Sequence, residues 1–161
     1  MQIKKTPISN RTSSIISLIL ALLLIPALLF VLWWLPEVVG AMLDTPDHLG
    51  DRANMQDWER TAVLAAAYLI VAVAFVTVGF LIFLLRLTLS EAVFSQKTLT
   101  ILLCLSICCF VIAALFCYVG IYFQLAFCIA LAALCLGVSL RVVKNVIAEA
   151  MRYKSENDLT I

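Results

Sequence analysis

The sequence predicts an all-α integral membrane protein, a four-helix bundle whose last helix carries an amphipathic extension into the cytosol. Three observations carry this reading. Residues 99–140 form a run of forty-two without one charged side chain. That is about twice the ~20 apolar residues that cross a ~30 Å hydrocarbon core as a helix, so the run must turn back on itself. Two further charge-free runs, 12–36 and 61–85, are each long enough for one crossing. The composition agrees, since 65% of the 161 residues are hydrophobic and the mean hydropathy is +1.12, whereas apolar residues make up roughly half of a soluble domain. The chain reads as one domain over 1–161, with spans at about 13–35, 62–85, 99–121 and 124–141, an outer loop at 37–60 and a cytosolic helix and tail at 141–161.

The first span follows Lys4, Lys5 and Arg11, which resemble the charged start of a secretory signal. Its core, 15–35, is twenty-one residues long and ends in Trp33-Trp34 without a small-x-small cleavage site. An apolar signal region is typically ~7–15 residues, so an uncleaved span is the better reading. Pro26 falls mid-span, where it removes a donor and crowds the carbonyl of Leu22, predicting a kink. Trp33 and Trp34 close this span and Trp58 precedes the second, the depth that indole favours. In the outer loop, Thr45-Pro46-Asp47 has the pattern of a helix N-cap followed by proline, predicting a short interfacial helix. The inner loop is short, with Ser95 as the cap of the third span.

The third and fourth spans carry matching stripes of small residues. Ser106, Cys109, Ala113, Cys117 and Gly120 recur at spacings of three and four, as do Ala126, Ala130, Ala133 and Gly137. An antiparallel hairpin turning at Tyr122 to Gln124 would pair Gly120 with Ala126, Cys117 with Ala130, Ala113 with Ala133 and Cys109 with Gly137. Beyond Leu140, the residues Val142, Val143, Val146, Ile147, Ala150 and Met151 fall on an apolar stripe, with Arg141, Lys144, Asn145, Ala148, Glu149 and Arg152 on the other faces. Such a stripe can lie in the headgroup layer, pack on the inner loop or receive a partner helix.

Charge placement orients the spans. The formal net charge is only +1, which gives no field to attract nucleic acid or an acidic substrate. Yet nine basic residues (Lys4, Lys5, Arg11, Arg86, Lys97, Arg141, Lys144, Arg152 and Lys154) share one side, against Arg52 and Arg60 on the other. The positive-inside bias then places both termini in the cytosol.

No constellation in the chain points to catalysis or to a cofactor. All six cysteines, Cys104, Cys108, Cys109, Cys117, Cys128 and Cys135, lie in the last two spans, with no C-x-x-C pair, and read as small apolar residues. Cys104 and Cys108, one turn apart, would have to form thiolates in lipid to hold a soft metal. His48, the single histidine, stands among Asp44, Asp47 and Asp51 in a spacing that matches no calcium loop. No ionisable residue lies between the span ends, although ion and proton paths usually carry one. The polar residues there, Ser17, Thr77, Ser106, Gln124 in the turn and a few tyrosines, read as interhelical hydrogen bonds or interface anchors.

The tail Tyr153-Lys154-Ser155-Glu156-Asn157-Asp158-Leu159-Thr160-Ile161 resembles the C-terminal signature of a bacterial family of small four-span membrane proteins, domain of unknown function 2975. Ala92-Val93-Phe94-Ser95, followed by Leu99 and Leu102, is similar to the family's Ala-Phe-Ser segment opening its third span, with Val93 placed within it. The order of spans and the Leu35-Pro36 step are also similar. The resemblance implies a bacterial inner-membrane protein, and members that sit beside genes for small helix-turn-helix regulators imply a cytosolic transcription regulator as partner. The expected role is therefore a non-enzymatic regulatory or protein-interaction module in the bilayer, without cofactor or direct nucleic-acid binding, docking its partner through Val142, Val143, Val146, Ile147, Ala150 and Met151. A small transporter or channel formed by a homo-oligomer is the competing class.

Overall fold

The computed structural model describes residues 7–44, 56–89 and 95–158, with side chains placed over 15–43, 56–89, 95–153 and at 156. These residues form four helices: α1 (Pro7–Asp44), α2 (Asp57–Leu89), α3 (Gln96–Gly120) and α4 (Gln124–Asp158). All four are long and apolar enough to cross a membrane, over Ile15–Leu43, Asp57–Leu89, Gln96–Gly120 and Gln124–Tyr153. The all-α, four-span reading holds, and the protein is a multi-pass membrane protein.

Helix ends follow local chemistry. Asp57 and Glu59 place negative charge in the first turn of α2, and the Glu59 carboxylate reaches back to accept from the Gln56 N–H at 3.2 Å, one half of a capping box. Ser95 caps α3 as its sequence position predicts, with extended backbone and its side chain accepting from the Thr98 N–H. At the far end of α3, the N–H groups of Tyr122 and Phe123 both return to the Val119 carbonyl at 3.0 Å. The chain thus reverses within three residues, Ile121 to Phe123, and α4 begins at Gln124 as the hairpin predicts.

Two boundaries differ from the sequence reading. Helix α1 continues through both Pro26 and Pro36 to Asp44. Residues 37–44 and 57–60, read as part of the outer loop, are helical. Pro36 can continue a helix when neighbouring groups satisfy the carbonyl it leaves unbonded. The predicted interfacial helix at Thr45-Pro46-Asp47 lies outside the described residues.

Contacts run in chain order, α1 on α2, α2 on α3 and α3 on α4. Among the described residues, no Cα atoms of α1 and α4 come within 8 Å of each other. The described helices are therefore a row open along both outer edges. The α3–α4 contact is the most extensive, and its small residues explain this. Ala113, Ala126, Ala130 and Ser106 are buried, and the Ser106 hydroxyl donates across the interface to the Gly137 carbonyl at 2.8 Å. A Cβ built on Gly137 would stand 3.3 Å from the Cys109 Cβ and 3.2 Å from the Phe110 ring, so this crossing admits little more than glycine. The predicted pairing of Cys109 with Gly137 holds. Gly120 is instead filled by the Phe127 ring, 2.9 Å from where its Cβ would be. Cys117 is exposed, about 60° round the helix from Gly120, on a flank left open, and so does not belong to the packed stripe.

The polar residues inside the spans divide between two uses. Ser106 bonds across helices, whereas Thr77 and Ser139 return their hydroxyls to Val73 and Cys135 of their own helices at 2.8 and 2.9 Å, leaving no free donor toward lipid.

Candidate functional site

The packing gives the molecule two unlike ends. One carries the end of α1, the start of α2 and the α3–α4 turn. There Val39, Leu43 and Val63 form a buried cluster with Leu35, Leu64, Ala67, Tyr122 and Phe123 against it. Trp33, Trp34 and Trp58 stand exposed around it. Trp34 donates its indole N–H to Glu37 at 2.7 Å, and Trp58 donates to Gln56. Burial, Tyr118 and the negative field of Glu59 push the Tyr122 hydroxyl above its ordinary ionisation range. An exposed tryptophan girdle over polar partners is an anchoring arrangement for a membrane interface.

The other end carries Arg86 at the close of α2, Lys97 in the first turn of α3, and Arg141, Lys144 and Arg152 on α4. As a helix rising ~1.5 Å per residue, α4 is about 50 Å long, some 20 Å more than the hydrocarbon core. Its last turns therefore leave the bilayer, which is where the sequence places the docking stripe.

The structure splits that stripe in two. Val142, Val143 and Val146 are 56%, 46% and 61% exposed, and Ala150 is exposed with them. Ile147 and Met151 are half-buried, as is Lys144. The reason is helical phase: Lys144 and Met151 continue the face of Gly137 that packs on α3, whereas Val146 stands about 180° from Gly137. Apolar residues thus occupy both sides of this segment, and only Val142, Val143, Val146 and Ala150 are free to meet a partner. Around them the surface is charged. Arg152 pairs with Glu156 at 3.5 Å, both exposed, and its guanidinium lies 5.6 Å from the Tyr153 ring. Sequence periodicity alone makes no such division of the face, because seven apolar residues in ten positions satisfy either phase.

The remaining candidates stay apart. All six cysteines are free thiols, with Cys104, Cys108 and Cys109 half-buried and Cys117, Cys128 and Cys135 exposed on the apolar surface. Among the described residues, no three His, Cys, Asp or Glu side chains gather as a metal site. His48, Asp47 and Asp51 lie outside the described residues, as does the side chain of Asp44. The sequence places Arg141 only on a polar face. In the structure its guanidinium lies 5.6 Å from the centroid of the Phe110 ring on α3, a contact that the aromatic at 110 does not announce on its own.

Comparison with known proteins identifies a family. The model of a family described as "Protein of unknown function (DUF2975)" matches residues 46–161, well over half of the chain, from before α2 through the tail. No curated protein and no solved structure matches.

Proposed function

The chain belongs to the DUF2975 family, and we propose that it is a non-catalytic regulatory module of a bacterial inner membrane. Its basic end faces the cytosol and captures a soluble protein, of which a helix-turn-helix transcription regulator is the expected kind. The observation that carries this reading is the exposed apolar strip Val142, Val143, Val146 and Ala150 on a helix that outlasts the bilayer. Inside hydrocarbon such residues need no protein partner, but in water they favour a groove or helix that removes them from solvent. The charged rim at Arg152 and Glu156 is suited to fixing orientation rather than to supplying affinity.

The division of the stripe selects the test. Substituting Ile147 would disturb packing on α3, so the informative variant is Val146→Asp with Ala150→Asp, which adds two charges to the strip alone. Desolvating a carboxylate against an apolar partner surface costs several kcal/mol, so binding should fall by about a hundredfold or more. Expression, insertion and thermal stability should stay near wild type. Unchanged regulation and partner binding in this variant would remove the strip as the docking surface.

A further inference from the structure

We propose that the α3–α4 seam at the basic end is a binding site for the headgroup phosphate of a net-anionic phospholipid, held by Arg141 and Lys144. The two residues are three apart on α4, about 60° from each other round the helix, on either side of the line through Gly137. That line is fixed, since Gly137 meets Cys109 and Ser106 of α3. The same antiparallel register carries Lys144 to about the level of Leu102 and Arg141 to about that of Leu105. Their depth follows from the turn. Counting from Gln124, a ~30 Å core is crossed after about twenty residues, which puts Arg141 and Lys144 at the boundary between acyl chains and headgroups.

Among the described residues, neither cation has a counter-charge there. Lys144 is half-buried in the seam and forms no ion pair or hydrogen bond among the described residues. Arg141 meets the face of Phe110, which holds a guanidinium in place without neutralising it. Glu149, the carboxylate of α4 nearest in sequence, is exposed about 140° round the helix from Lys144. Lys97 and the positive N-terminal end of α3 lie at the same end and add to the field rather than cancel it. Two cations at headgroup depth, a half-buried lysine and an exposed arginine fixed over an aromatic ring, call for an anion of that depth, and a lipid phosphate is the anion the bilayer supplies. This site is separate from the docking strip, because Val146 faces the opposite side of α4.

The full chain, purified in mild detergent and returned to vesicles of phosphatidylcholine with or without phosphatidylglycerol, provides the test. Native mass spectrometry counts retained lipids, and thermal unfolding follows stability. Phosphatidylglycerol should be retained preferentially and should raise the unfolding temperature. Arg141→Gln and Lys144→Gln should each reduce retention by about fivefold, while Arg152→Gln, outside the seam, should leave it unchanged. An equal loss in all three variants would show diffuse attraction to basic surface and overturn the site. So would equal retention of phosphatidylcholine. If inorganic phosphate alone reproduces the stabilisation in phosphatidylcholine vesicles, the site takes a free anion and the lipid assignment is wrong.

Discussion

Gly137→Leu is expected to pull α3 and α4 apart, and to do so more severely than any single change at the lipid-facing surface. The first added carbon already falls 3.2–3.3 Å from Phe110 and Cys109. The Cys109 Cβ is held by its backbone, so relief requires the helices to separate. Separation also breaks the hydrogen bond from Ser106 to the Gly137 carbonyl. Overpacking of this kind costs about 1–3 kcal/mol, and an interhelical hydrogen bond contributes about 0.6 kcal/mol more, which together come to about 1.6–3.6 kcal/mol. Ser106→Ala removes only the second part and should cost about 0.6 kcal/mol. Leu131→Ala, at a position 64% exposed, is the control and should change stability by less than about 0.5 kcal/mol. Reversible unfolding in mixed micelles measures all three. Equal stability of Gly137→Leu and Leu131→Ala would contradict the seam.

The second large effect is on orientation. The connection between α2 and α3 holds Arg86 and Lys97, and α4 adds Arg141 and Lys144 just past its span. Lys and Arg within a few turns of a span end set the side on which that end remains. Replacing Arg86 and Lys97 by Gln while placing two Lys beside Trp58 should convert a single orientation into a mixture. Reporter fusions at the C-terminus and between α1 and α2 read this out. The wild type should report a cytosolic C-terminus and an external α1–α2 connection. An external C-terminus in the wild type would overturn the proposed placement of the docking strip.

The sequence makes the four crossings legible because the exclusion of charge from hydrocarbon acts on every residue of a run, without reference to its neighbours in space. Ser95 and the turn at Tyr122 are legible for a similar reason: capping and reversal are settled within four residues. Packing is legible only where one residue type leaves no choice. Gly137 against Cys109 is such a place, since a close crossing needs a position without bulk. Cys117 is not, because small size permits burial without requiring it. The end of α1 is hidden by Pro36, whose usual effect on helices is overridden by the context of the span. The phase of Ile147 and Met151 is hidden for a further reason. An apolar residue past the bilayer satisfies packing on α3 and docking to a partner equally well in sequence, and only the register set at Gly137 separates the two. The Arg141–Phe110 contact requires two helices to be aligned first, so nothing local in the chain reveals it.

What Val146 touches in a living membrane decides whether α4 docks a soluble protein. A photo-crosslinking residue placed at 146 in the full chain, with a second at 131 as the lipid-facing control, measures this in cells. The prediction is one discrete adduct with a soluble, DNA-binding protein at 146, lost when Ala150→Asp is added, and none at 131. Adducts at 146 with lipid alone or with a second copy of this chain, unaffected by Ala150→Asp, would contradict docking of a cytosolic regulator.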